Sequence, residues 1–393
     1  MKIVIVPSGF KECLDAEDVA AAMDRGVRRF DSSINTVVIP MIDGGEGFVK
    51  TIINIKDGII VNKKVTGPVG KKIDSYFGFY QENGKRIAVI EMAAVAGLKL
   101  VPHDERNPLK TTTYGVGELI IAALDFGIDH ILIGCGDSGT SDGGAGMAQA
   151  LGVQFFDKKQ QPLQIKGGED LLEVDSLLAA NVDSRLKNIS IDVACNWKNI
   201  LCGRKGVARV FGPQKGATPK QVDILSSALE QYAGAIQNET GLNVRSLPGS
   251  GASGGLGAGL LAFTNAILHP RFDIIMDFIN IEKEISTADI VFTAEGSLDF
   301  QTPNGKIPSE VARIAKTSHI PVIAITGTIG EGAELNYQAG IDAYSSIIQK
   351  PVSMESAMIN APKWIEESTY SALRKVAIGW RMTDQGILKK VSL

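Results

Sequence analysis

Histidine and cysteine are scarce in this chain, four residues of each among 393, and that scarcity removes several chemistries at once. His103, His130, His269 and His319 are scattered along the sequence, which argues against a Ser-His-Asp triad and against a zinc cluster. Cys13, Cys135, Cys195 and Cys202 show no paired metal-ligand spacing and read as buried free thiols in a reducing compartment. A long Lys/Arg block is missing and the net charge is −4, so neither nucleic acid nor a membrane surface is expected as the main partner. No apolar run approaches the roughly 18 residues of a membrane span. The longest candidate, around 256–268, is broken by glycines and Asn265. The apolar run in Met1-Lys-Ile-Val-Ile-Val-Pro7 is too short for a secretory signal, so a soluble, cytoplasmic protein is expected. A Walker A motif is also missing: Gly305-Lys306 is followed by Ile307, and no glycine lies five residues before Gly305.

Glycine, by contrast, is plentiful. The 43 glycines gather in segments that also carry acids or lysines: Asp43-Gly-Gly-Glu46-Gly47, 134–146, Phe211-Gly-Pro-Gln-Lys215-Gly216, 248–259 and 295–306. Glycine turns let backbone N–H groups approach phosphate oxygens, and the acids beside them suit Mg²⁺ or a proton. That combination points to a phosphate-handling enzyme.

The length favours two domains. Residues 2–6 form a β-branched run, 15–29 carry helical spacing after an acidic start, and 36–40 give a second strand. This β-α-β opening places the Asp43 turn just past a strand's carboxyl end, where open α/β sheets bind ligands. Strand and helix alternate again over 290–293, 309–316, 321–326, 341–348 and 363–376, whereas 63–94 reads as a hairpin or meander, followed by a helix over 117–126 and a strand over 130–133. The expected fold is α/β: a Rossmann-like parallel-sheet domain formed by both termini (1–62 and 284–393) with a second α/β domain inserted (63–283).

Gly134-x-Gly136-x-x-Gly139 and Gly249-x-Gly251-x-x-Gly254 both have dinucleotide-fingerprint spacing. Asp137 and Asp142 would repel a bare pyrophosphate, so a metal–phosphate site fits better than a nicotinamide site. Helix capping by the same Asp, Ser and Thr residues is the plain structural alternative. Lys11, Lys215 and Lys306 each sit beside a turn or a glycine, where an ammonium can reach phosphate. Arg106, ahead of Thr111-Thr-Thr113, can clamp a small carboxylate, with capping by Thr113 equally open.

With these segments in order, the chain resembles the type I glycerate kinases. The likeness is carried by Phe10-Lys11, Asp43-Gly-Gly-Glu-Gly, Glu91-Met-Ala, Arg106-x-Pro108-x-x-Thr111-Thr-Thr, Ser141-Asp142-Gly-Gly, Phe211-Gly-Pro-Gln-Lys-Gly-Ala217, 248–259 and Glu295-Gly-x-Leu-Asp299-x-Gln-Thr302. The resemblance implies ATP and Mg²⁺ as cofactors, a small hydroxy acid as substrate, and an active site in an inter-domain cleft; a homodimer is open. It departs from the family pattern at Ser8 and Asn196, where an acid is expected, at Asp137 within a turn that reads Gly-Gly-Ser in the family, and at Ser297, where an arginine is expected. The roles that follow are catalysis for Asp142, Asp43 and Lys11, and substrate binding for Arg106, Glu46, Ser8 and Asn196. Phosphate or nucleotide contact falls to Lys215, Gly251, Gly254, Lys306 and Ser138, and metal binding to Asp299, Glu295 and Asp137. A non-catalytic metabolite binder is the second reading, motivated by the acids missing at Ser8 and Asn196.

Overall fold

The computed structural model describes residues 1–10, 13–41, 44–303 and 305–384, and the chain divides into two compact units, 1–42 with 280–393, and 43–279. Lys11 and Asp43 lie outside the described residues. The boundaries correct the expected ones. The segment 43–62 belongs with the middle unit, because helix Phe48–Ile55 packs on strands Lys72–Glu82 and Lys85–Glu91 and strand Ile59–Thr66 pairs antiparallel with Lys72–Glu82.

The terminal unit is built on a five-stranded parallel sheet in the order Ala343–Ser346, Val322–Ile329, Ile290–Leu298, Lys2–Pro7, Asn35–Val38. Counted along the unit this is order 2-1-3-4-5, the flavodoxin-like arrangement, and not the Rossmann dinucleotide order. The order reverses between Lys2–Pro7 and Ile290–Leu298, so a ligand crevice is expected where those two strands end, at Ser8 and Glu295. Ile3 to Val6 are wholly buried, as a parallel strand covered on both faces requires. Helix Ala16–Phe30 starts at Asp15, whose side chain accepts the Asp18 N–H at 2.8 Å, a cap that contributes about 1 kcal/mol. The same helix packs against the long helix Met354–Asp384.

The middle unit holds a six-stranded sheet in the order Ala266–Pro270, Ser190–Cys195, His130–Gly134, Lys85–Glu91, Lys72–Glu82, Ile59–Thr66. Its first four strands are parallel, and the remaining two add the meander expected over 63–94. A small antiparallel sheet, Pro162–Leu163, Gln154–Phe156 and Ser176–Leu178, lies over a second core with helix Pro219–Thr240. Among the described residues no helix is long and apolar enough to cross a membrane. Cys135, Cys195 and Cys202 are buried free thiols, as expected, and Cys13 is half-buried.

Candidate functional site

In the middle unit, strand His130–Gly134 runs into the turn 135–144 and then helix Ala145–Ala150. Asp142, expected to be catalytic, is wholly buried, and both of its carboxylate oxygens accept hydrogen bonds. Its Oδ2 accepts the Thr113 N–H at 2.7 Å, the Thr113 hydroxyl at 2.9 Å and the Gly146 N–H at 3.2 Å, while Oδ1 accepts Gly144 N–H at 3.2 Å. Burial pushes its pKa up and these bonds pull it down, with burial the larger effect. Asp142 therefore ties the first turn of helix Ala145–Ala150 to the start of helix Tyr114–Asp125, a structural task. Gly146 has to be glycine here: a Cβ would lie 2.2 Å from Thr112 Oγ1 and 2.8 Å from Asp142 Oδ2.

Lys215 is also buried, 3% exposed, and its ammonium donates to Ser138 Oγ at 2.8 Å and Thr140 O at 2.6 Å. Desolvation pulls its pKa down to about 7, against the pull of the Asp142 charge. It braces the turn, with Ser138 engaged as its acceptor. Arg106 belongs to the same neighbourhood: a Cβ on Gly216 would lie 2.4 Å from the Arg106 carbonyl oxygen. The Arg106 Nε is buried without an acceptor, as are Thr140 Oγ1 and Ser141 Oγ, which marks this corner as one with hydrogen-bonding capacity to spare.

Gly251 and Gly254 approach their own chain closely. A Cβ on Gly251 would meet Ile200 O at 2.2 Å; Gly254, at φ 71°, would meet Thr140 O at 1.9 Å. Gly143 N–H donates to Gly254 O at 3.1 Å, so this turn and the 135–144 turn are pressed together. Asn196 follows strand Ser190–Cys195 and accepts the Lys198 N–H at 3.1 Å, closing its own loop, whose Asn199 carbonyl accepts from Gly251 N–H. Asp137 is left-handed at φ 48° and accepts the Glu46 N–H at 3.0 Å. Glu46 itself is exposed and paired with Lys99. Asp137 is thus a tether within the middle unit, apart in the chain from the other two acids expected to hold metal.

Those two acids do come together in the terminal unit. Glu295, in the strand Ile290–Leu298, and Asp299, just past its end, share Lys306, at 3.3 Å and 3.5 Å. Thr302, wholly buried, donates its hydroxyl to Glu295 at 3.2 Å and accepts the Asp299 N–H. Burial raises the Glu295 pKa against the lowering by Lys306 and Thr302. Ser8 sits at the switch point with its hydroxyl on Ala294 O at 2.8 Å. Ser297 lies 3.5 Å from Asp299 and leaves that acid to Lys306 and the Gln301 N–H. No group of three or more His, Cys, Asp or Glu that could hold a metal occurs among the described residues. A pair of hard carboxylate oxygens is nevertheless what Mg²⁺ takes from a protein when phosphates complete its shell, so this pair fits a metal–nucleotide.

Sequence reasoning gave no role to two features. Glu91, at the end of strand Lys85–Glu91, is 1% exposed and accepts Gly47 N–H at 3.1 Å and Val49 N–H at 3.0 Å. A lone acid closing an apolar strand was the available signal. The scattered histidines, moreover, meet: His130 and His269 both reach Asp192, at 2.8 Å and 2.6 Å, and hold its pKa below the usual range.

Comparison with known proteins places the chain among kinases. The model of the glycerate kinase family matches residues 3–377. A glycerate kinase of Halalkalibacterium halodurans is 43% identical over 96% of this chain and 97% of its own, and the glycerate 2-kinase of Escherichia coli K12 is 40% identical over 97% and 99%. A crystal structure from Salmonella typhimurium LT2, assigned as a glycerate kinase 2, superposes with a TM-score of 0.82 at 40% identity, covering 97% of this chain and all of that one.

Proposed function

The chain belongs to the glycerate kinase family, and from that premise we propose that it transfers a phosphoryl group from ATP to a hydroxyl of glycerate or a closely related small hydroxy acid. The observation that carries the phosphate half is the Lys306–Glu295–Asp299–Thr302 cluster at the carboxyl edge of a parallel sheet. A nucleotide arriving there finds an ammonium already held in place by two carboxylates, which phosphate oxygens can share. Mg²⁺, held by Glu295 and Asp299, would neutralise phosphate charge as it develops. Arg106, with its buried and unpaired Nε, is assigned the substrate carboxylate. Lys215 and Ser138 keep the neighbouring turn rigid, so that positioning is not lost to backbone motion. Since Asp142 is committed to helix ends, the general-base role passes to Asp43, and Lys11 is kept as a phosphate partner.

The non-catalytic reading is not favoured: the curated relatives at about 40% identity are named as kinases over nearly their whole length. The test is nucleotide-diphosphate release with D-glycerate and a panel of small hydroxy acids. Acid-dependent turnover supports the assignment, and release no faster than with water alone overturns it. Phosphorus NMR of the product identifies the hydroxyl. Installing Ser8→Asp with Asn196→Asp then asks whether the departures set substrate choice; an unchanged acid profile and rate would remove both positions from the site.

A further inference from the structure

Three backbone N–H groups at the start of helix Phe48–Ile55 are occupied by the protein's own carboxylates. Asp137 Oδ2 takes Glu46 N–H at 3.0 Å, and Glu91 takes Gly47 N–H at 3.1 Å on Oε1 and Val49 N–H at 3.0 Å on Oε2. A helix start of this kind is ordinarily an anion site; here the anions come from the neighbouring strand end and the neighbouring turn. The contacts form a closed circuit. The Asp137 carbonyl accepts from Leu98 N–H at 2.8 Å, and Lys99, next in the chain, pairs with the Glu46 carboxylate. Glu46 is thus held at its backbone by Asp137, and its side chain pairs with the exposed Lys99.

Asp137 holds this place at a cost in backbone conformation. Its φ of 48° is one that glycine adopts freely and that other residues rarely adopt. Strain of this kind persists where the surroundings over-determine it, and it clusters at sites that must be held in one geometry. Glu91, for its part, is only 1% exposed and accepts from two of these amides.

We propose that Glu91 and Asp137 are positioning residues which grip the segment Gly44–Val49 by its N–H groups and thereby set where Glu46 presents its carboxylate to the acid substrate. This rests on the kinase reading of the preceding subsection for the identity of that substrate, and on the sequence-based assignment of Glu46 to it. It goes further in naming two residues that touch no substrate and in assigning them to the acid, not the nucleotide.

The experiment is steady-state kinetics of Asp137→Gly, Asp137→Asn and Glu91→Gln, varying the acid at saturating nucleotide and the nucleotide at saturating acid. Amide exchange of the peptide covering 44–50 is followed in parallel. Asp137→Gly is the informative variant, because it removes the carboxylate while easing the backbone, so loss of folding cannot explain its effect. It should raise KM for the acid about tenfold and leave KM for the nucleotide unchanged, as a displaced contact does. Exchange at 44–50 should quicken by about tenfold, the factor for one lost charge-assisted hydrogen bond. Glu91→Gln should act in the same direction. Asp137→Asn, which keeps an acceptor oxygen, should restore the acid KM. Unchanged exchange in Asp137→Gly and Glu91→Gln, or equal changes in both KM values, overturns the proposal. If the wild-type chain turns over no hydroxy acid, the kinase reading fails on that result alone; the exchange data then still decide whether the two carboxylates hold the segment.

Discussion

Replacing Asp142 by asparagine separates a structural carboxylate from a catalytic one. The carboxylate accepts from four donors, three on Oδ2 and one on Oδ1. Asparagine offers one acceptor oxygen. Placed where Oδ2 sits, it keeps the Thr113 and Gly146 donors, but its amide N–H then faces the Gly144 N–H and leaves that buried donor unsatisfied. The lost partner costs about 1–3 kcal/mol, and the remaining bonds lose their charge assistance, roughly half their strength. Removing a buried charge offsets part of this. The net expectation is about 2–3 kcal/mol, which for a unit of this size lowers Tm by about 4–12 °C. Turnover, measured well below that Tm, should fall by less than about tenfold, short of the two or more orders of magnitude that loss of an acid–base group brings. Thr113→Val should be non-additive with Asp142→Asn by about 1 kcal/mol, since the two share a hydrogen bond. A Tm within about 2 °C of wild type together with a hundredfold loss of kcat would refute the structural account and return Asp142 to the chemistry.

Three further outcomes are expected. Glu91 has its pKa raised to about 7, chiefly by burial, with Glu46, Lys50 and Tyr76 as the facing groups. Its protonated form is the one the fold favours, so stability is lost as pH rises from about 4.5 to about 7; between pH 5 and 7.5 the stability difference should move toward Glu91→Gln by about 2–3 kcal/mol, read by urea melts, and a constant difference would contradict this. Lys215 has the opposite sign: with its pKa lowered to about 7, folding favours the neutral amine, so stability is lost as pH falls from about 10.5 to about 7, and Lys215→Met should gain on wild type by about 3 kcal/mol between pH 9.5 and 7. Gly254→Ala puts a Cβ 1.9 Å from Thr140 O at a positive φ, and should cost about 3 kcal/mol or more, seen as a Tm fall and loss of soluble protein; wild-type stability would mean the two turns are not pressed together.

What the sequence determined by itself was local. The run from Lys2 to Val6, the cap at Asp15 and the apolar spacing to Val27 specify strand and helix within a few residues, and the structure has them there. Helix Pro219–Thr240 was equally legible and went unread: Thr218 and Gln221 form a capping box, Pro219 opens the helix and Gly241 closes it. Only the tertiary structure decided which donors each acid meets. An aspartate in a glycine turn reads the same whether it faces a ligand or its own helix; two of the donors that Asp142 meets come from Thr113, 29 residues away, folding back onto it. Strand pairing likewise brought His130 and His269 onto Asp192, and set Glu91 beneath Gly47 and Val49. The reason is physical: helix and strand preferences are summed over neighbouring residues, whereas the partner of a buried polar group is assigned by whichever distant segment packing delivers to it.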